Sequence, residues 1–157
     1  MILLCYDGSS DARAAIDHAG ELLSGQPATV LTVWEPFIDL VMHAGVGLMS
    51  PPLNFEEIDA ASEHAARERA EEGVERARHV GFNAQPRTRA LTTTTADVIL
   101  AEAEEVGAAA IVLGTRGLTG LKSMLLGSVS HALLQHADRT VIVVPSPEVS
   151  AARAARR

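Results

Sequence analysis

Two short stretches carry residues whose types and spacing suit them to hold an anion, and a third carries a carboxylate that could accept hydrogen bonds from a base or ribose. Gly114-Thr-Arg-Gly117 is followed, after nine intervening residues, by Gly127-Ser128, and Asp7-Gly8-Ser9 lies far upstream. The first stretch sits directly behind an apolar run, Ala108-Ala-Ala-Ile-Val-Leu113, that reads as a buried strand. Closely spaced glycines let a backbone turn sharply at positive φ and approach a ligand, because no Cβ intervenes. Gly127-Ser128 opens an amphipathic segment, 129–137, that reads as a helix. The free N–H groups of a helix start, with the positive end of the dipole behind them, form an anion site. Strand, glycine turn, spacer and glycine-serine at a helix start together make a plan for a phosphate chain, so nucleotide binding is the leading expectation.

The elements that must position these residues alternate along the chain. Met1 to Tyr6 is a short apolar strand ended by Asp7-Gly-Ser-Ser10. Ser9 or Ser10 caps the next helix, with Asp11 in its first turn and an apolar face of Ala12, Ala15, Ile16, Ala19, Leu22 and Leu23. Ala28 to Trp34 is the second strand. Phe55 to His79 reads as a long helix with a narrow stripe of Ile58, Ala61, Ala65, Ala70, Val74 and Ala77, its many charges forming the solvated face. Asn83 to Leu91 is a partly polar third strand, expected at an edge. Thr92 to Thr95 supplies a turn and cap for a helix marked by Ile99, Ala103 and Val106 and ended by Gly107. Ala108 to Leu113 is the fourth strand, expected at the centre by its apolarity, and Thr140 to Val144 is the fifth. This alternation predicts an α/β fold with a parallel sheet covered on both faces.

Between the second strand and the long helix, Pro36 to Asn54 is punctuated by Gly45, Gly47, Pro51 and Pro52. A connection this long in a compact domain is either a lid over a site or a loop folded on an apolar edge. The organisation is one nucleotide-binding domain over residues 1–146, then a flexible tail over 147–157 containing Arg153, Arg156 and Arg157.

Composition narrows the function. The 157 residues are 47% hydrophobic and 21% charged, as for a globular domain. A net charge of −7 disfavours nucleic acid or an anionic membrane as partner. No apolar run approaches the roughly 18 residues of a membrane span. One cysteine, Cys5, gives no internal disulfide and suits a reducing compartment; the expected location is cytoplasmic. In its strand position Cys5 reads as a small buried hydrophobe.

Other chemistry is thin. Gly114 and Gly120 enclose five residues where a Walker A loop needs four, and Leu121 separates Gly120 from Lys122-Ser123. No Gly-x-Gly-x-x-Gly occurs. His131 and His136 are five apart, not the four that would align two ligands on one helix face, so no metal site is expected. Lys122 and Ser123 read as a solvated loop. In an open α/β sheet a ligand binds beyond the carboxyl ends of the strands, and right-handed crossovers bring Asp7-Gly8-Ser9 and Gly114 to Gly117 to the same edge.

Gly114-x2-Gly117-x9-Gly127-Ser128 resembles the ATP-binding signature of the universal stress protein family. Tyr6-Asp7-Gly8-Ser9 is similar to that family's first strand end, and Thr140-Val-Ile-Val-Val-Pro145 to its last strand. The likeness runs from Ile2 to Pro145. It implies an open, Rossmann-like five-stranded parallel sheet of order 3-2-1-4-5, and a homodimer paired through Thr140 to Val144. It also implies ATP as ligand, with Mg2+. Asp7 and Val33 would face adenine and ribose; Gly114, Arg116 and Gly117 would surround the ribose and phosphates. Gly127, Ser128, Val129 and Ser130 would hold the phosphate tail, and Tyr6 and Leu113, at the two strand ends, complete the set. Where the family often has a Gly-x-Pro-Ala turn, this chain has Thr92-Thr-Thr-Thr95-Ala96, so contacts from that loop are not carried over.

The reading is of a stress-response regulator with an unidentified downstream partner, not an enzyme. Its rivals are a slow Mg-dependent ATPase and a dimeric adaptor that uses the fold without nucleotide.

Overall fold

The computed structural model of the protein describes residues 1–37, 54–117 and 127–155. Five strands, β1 (Ile2–Cys5), β2 (Pro27–Trp34), β3 (Asn83–Ala90), β4 (Ala110–Gly114) and β5 (Thr140–Val144), form one parallel sheet of order β3-β2-β1-β4-β5. Among the described residues five helices accompany them: α1 (Ser10–Leu23), α2 (Phe55–His79), α3 (Thr95–Glu105), α4 (Ser128–His136) and α5 (Pro147–Ala154). The order reverses between β1 and β4, so their carboxyl ends diverge around a crevice.

Two apolar layers sandwich the sheet. On one face Leu4, Val30 and Val112 meet Ala15, Ile16 and Ala19 of α1 and Val74 and Ala77 of α2. On the other, Leu3, Leu31 and Ile111 meet Ile99 and Ala103 of α3 and Leu133 of α4. Alternate side chains of one strand thus feed opposite layers, which is why the inner strands are apolar throughout.

Several expectations shift. β1, not β4, is the middle strand: β4 has β1 on one side and β5 on the other. Both strands are buried on both faces, so apolarity alone does not rank them. The buried stripe of α2 is Ala66, Ala70, Gly73, Val74 and Ala77, while Ala61 and Ala65 are exposed. Gly73 sets this phase, because a Cβ there would lie 2.8 Å from Tyr6 Cδ1 and Val30 Cγ1; the helix rests on the sheet at the position with no side chain. Leu22 of α1 is also exposed, beyond the edge of that layer. Within the stretch expected as a flexible tail, Pro147–Ala154 are helical: Ser146 caps α5 by accepting from the Val149 amide, Pro147 opens it, and Glu148 and Arg153 complement its dipole.

The outer strand β3 is the expected polar edge, with Pro86 in it. Arg87 and Arg89 reach from it to Glu102 and Glu105 of α3, and the Glu102 carboxylate is fully enclosed by the pair. Most of Pro36 to Asn54, the expected lid or loop, falls on residues 38–53 and lies outside the described residues. Its two ends meet: Phe37 and Phe55 place their rings 6.0 Å apart, and the Phe37 amide donates to Asp59 at 2.6 Å.

Candidate nucleotide site

The carboxyl end of β1 is held by its neighbour. The Tyr6 amide continues the ladder to Leu31 O at 2.8 Å, and Thr32 Oγ1 donates to Tyr6 O at 2.8 Å. The chain then turns at Gly8, whose φ of +82° is a left-handed conformation that glycine adopts without strain. Asp7 Oδ1 accepts from the Ser9 amide at 2.9 Å, and Ser9 Oγ accepts from Ala12 N at 3.1 Å to cap α1. Asp7 therefore performs a capping role and also borders the crevice.

The carboxyl end of β4 is pinned more heavily. The Thr115 amide donates to Val144 O at 3.0 Å. The Thr115 carbonyl accepts from Gly127 N at 2.7 Å and from Ser130 Oγ at 3.2 Å. Those two contacts bring the start of α4 back onto the strand it left. Gly127 is the N-cap of α4 and offers no side chain, so the N-cap residue itself leaves the first-turn amides of that helix without a side-chain cap. Ser130, expected to hold phosphate, is buried, and its hydroxyl donates to Thr115 O and Gly127 O, inside the loop. Ser128 is exposed and Val129 half-buried.

Close approach, and not positive φ, is what the described glycines of the signature supply. None of the three has a positive φ. A Cβ on Gly114 would lie 2.6 Å from the Asp11 backbone carbon, one on Gly117 2.7 Å from Asp7 Oδ2, and one on Gly127 3.1 Å from Thr115 O. Gly114 admits the start of α1 against β4, and Gly117 admits the Asp7 carboxylate, joining the two loops.

Asp11 is the residue that sequence reasoning placed only as a first-turn acid. Its side chain is buried and accepts from Thr115 Oγ1 at 2.6 Å and from the Arg116 amide at 3.1 Å. The Arg116 guanidinium stands 3.7 Å from the same oxygen. A first-turn acid normally faces water near the helix amides, so sequence spacing carried no signal for this inward turn.

Together these elements enclose a cleft of about 560 Å3, within the range of small-molecule sites. One end is lined by Cys5, Leu31, Val33, Ile99 and Leu113; the other by Gly114 to Gly117 and Gly127 to Ser130. Tyr6 and Asp7 line it too, so all the sequence-predicted residues border one cavity. Trp34, Glu35, Leu91 and Thr95 also line it and were not predicted; Trp34 ends β2, Glu35 and Leu91 directly follow β2 and β3, and Thr95 opens α3. Lys122 and Ser123 lie outside the described residues. His131 and His136 are exposed on α4. Burial, reinforced by the Asp7 charge, pushes the Cys5 thiol up to about 12, so it stays a neutral part of the apolar end. Tyr6 is likewise pushed up to about 12, first by burial and then by its 2.6 Å hydrogen bond to Glu72. Chemically, the cleft offers an apolar slot next to a bed of backbone amides.

Residues 1–145 match the sequence profile of the Universal stress protein family. The chain belongs to the universal stress protein family. A family relative from Bacillus subtilis, universal stress protein YxiE, is 32% identical over 154 residues, covering 91% of this chain and 97% of its own. The fold is also that of solved universal stress proteins. One from Archaeoglobus fulgidus in complex with dAMP gives a TM-score of 0.60 at 23% identity, covering 91% of this chain and 95% of its own. One in complex with cAMP gives 0.63 at 21%, covering 92% and 96%. One from Arabidopsis thaliana with AMP bound gives 0.60 at 17%, covering 92% and 90%. Among the described residues no helix is long and apolar enough to cross a membrane.

Proposed function

We propose that this universal stress protein binds an adenine nucleotide, ATP as the family signature implies, in the cleft at the ends of β1 and β4. The observation that carries the reading is the junction of Asp7 with Gly117: two loops distant in sequence close on one cavity, and only a glycine fits where they meet. The apolar slot suits a base, and Asp7 suits the ribose or base edge. The uncapped start of α4 suits phosphate oxygens, since its amides have no intrahelical acceptors. Relatives of the same fold hold dAMP, cAMP and AMP, which supports an adenine ligand. Among the described residues no carboxylate and histidine cluster suits a metal, so a Mg2+ ion would be held by the phosphates themselves and no step is assigned to it.

The nucleotide acts here as a regulatory ligand. Fast phosphoryl transfer needs a positioned base or water and cations against the transferring group. The Asp7 carboxylate is committed to the Ser9 amide at the strand end, and Arg116 stands beside Asp11. Turnover is therefore expected to be absent or far below the ~1–100 s⁻¹ of kinases. A rate in that range that is lost on Gly117→Val would instead establish the enzyme.

Binding is tested by thermal unfolding with millimolar Mg-ATP. At ~100-fold over Kd, linkage contributes about 2.7 kcal/mol, a melting shift of roughly 5–10 °C for a domain of this size. A folded sample with no shift would refute the reading. The proposed setting is cytoplasmic, and the proposed assembly is a homodimer through β5. That strand is the apolar edge of the sheet, and a bare apolar edge is an aggregation hazard that two-fold pairing covers. Ile142→Lys should shift sedimentation toward monomer with circular dichroism unchanged.

A further inference from the structure

We propose that Asp11 is the positioning residue of the phosphate end of the cleft, a role that rests on the nucleotide reading above. A buried carboxylate is costly unless its oxygens are bonded, and this one is 4% exposed. Its partners come from the opposite loop, more than a hundred residues along the chain: Thr115 Oγ1 at 2.6 Å and the Arg116 amide at 3.1 Å. Bonds to an ionised acceptor are the strong ones.

Two consequences follow from that geometry. First, Thr115 is held on both sides. Its hydroxyl is given to Asp11, while its carbonyl receives Gly127 N and Ser130 Oγ. A chain of bonds thus runs from Asp11 through Thr115 to the first turn of α4, and fixes where the amides of that turn point. Second, the Arg116 guanidinium stands 3.7 Å from Asp11 Oδ2, so the cation that borders the cleft is partly neutralised before any ligand arrives. Asp11 thereby does two opposing things to a phosphate: its acceptor oxygen aims the loop, and its charge weakens the pull of Arg116.

Those two effects separate by substitution. Asp11→Asn keeps an acceptor oxygen for Thr115 and the Arg116 amide but removes the charge. Asp11→Ala removes both. Thr115→Val keeps the volume and deletes one link of the chain. Equilibrium titration with adenosine and with AMP reads them, since only AMP uses the phosphate end. Adenosine affinity should stay within about twofold in all three variants. AMP should bind about tenfold weaker to Asp11→Ala and about threefold weaker to Thr115→Val, as expected for lost hydrogen bonds to a charged group. Asp11→Asn should bind AMP at least as tightly as the unaltered protein. This opposite sign is something a purely structural role would not produce. Equal losses for adenosine and AMP, an Asp11→Asn loss matching that of Asp11→Ala, or no AMP-specific change would overturn the proposal while leaving nucleotide binding intact. If Asp11→Ala does not fold, the contrast between Asp11→Asn and Thr115→Val decides. Unaltered protein that binds neither ligand would refute the nucleotide reading itself, and this role with it.

Discussion

At the strand end of the cleft, Cys5, Leu31, Val33 and Leu113 project from a parallel sheet whose ladders pair Leu31 with Cys5 and Arg87, Val33 with Arg89 and Leu113 with Val143. At the loop end the lining is backbone, shaped by glycines and by bonds that converge on Thr115. The strand end is apolar and set by packing, so its shape tolerates changes that conserve volume. The loop end depends on close approaches below 3.2 Å from three missing Cβ atoms, so it tolerates almost no added atom. A ligand that spans both would draw affinity from a slot that is hard to disturb and orientation from a loop that is easy to disturb.

The largest effect should come from the loop end. Gly127→Val would place side-chain atoms against Thr115 O, where even a Cβ comes within 3.1 Å, and push α4 off the strand. Nucleotide-dependent melting shifts should vanish while circular dichroism stays native. A retained shift would show that the helix start does not touch the ligand. Next comes the slot: Val33→Trp fills the apolar end, and adenosine and AMP should both weaken by about tenfold or more, since a buried base loses its apolar contacts. Loss of AMP alone would place the base elsewhere.

Gly114→Ala sharpens the comparison from within the signature. Its Cβ would strike the α1 backbone at Asp11, so the cost falls on the fold: about 2 kcal/mol, as for overpacking, and a melting temperature lower by roughly 4–8 °C. An unchanged melting temperature would contradict the packing described. The smallest effect on binding is expected at Cys5. Cys5→Ala should leave AMP affinity within about threefold, because the thiol contributes as a small apolar group. Its raised pKa also has a sign that can be checked. The neutral thiol stabilises the fold fully below the ordinary value of 9.0, and that contribution is lost as pH climbs toward about 12. Alkylation of the folded protein at pH 8 should therefore be slower than in denaturant by about two orders of magnitude or more, and should keep rising past pH 9. A plateau near pH 9 would mean the thiol is solvated.

Much of this architecture is written in local sequence. The five strands are apolar or alternating runs ended by Gly, Pro or, after β3, a run of Thr, and the caps at Ser9 and Thr94 are where turn chemistry puts them. The glycine signature and the first strand end are short and contiguous, so the two walls of the cleft were legible too. What escaped is nonlocal. The phase of α2 depends on Gly73 lying against Tyr6 and Val30, and a glycine adds nothing to an apolar stripe. The inward turn of Asp11 depends on a hydroxyl 104 positions away. The Ser130 hydroxyl is bonded to Gly127 O and to Thr115 O, the latter fifteen positions away, which spacing does not signal. Helix α5 escaped for a different reason: Ser146-Pro147-Glu148 is a legible start, but its alanine-rich continuation has no apolar face.

The central claim is that one adenine nucleotide lies along the cleft, base at the strand end and phosphate at the loop end. Amide chemical shifts followed during titration of the labelled protein test it most directly. Adenosine should move Asp7, Val33 and Leu113 and leave Ser128, Val129 and Ser130 nearly still, whereas AMP should move both groups together with one saturation curve. Saturable shifts confined to residues away from the cleft, or none with either ligand, would contradict the account.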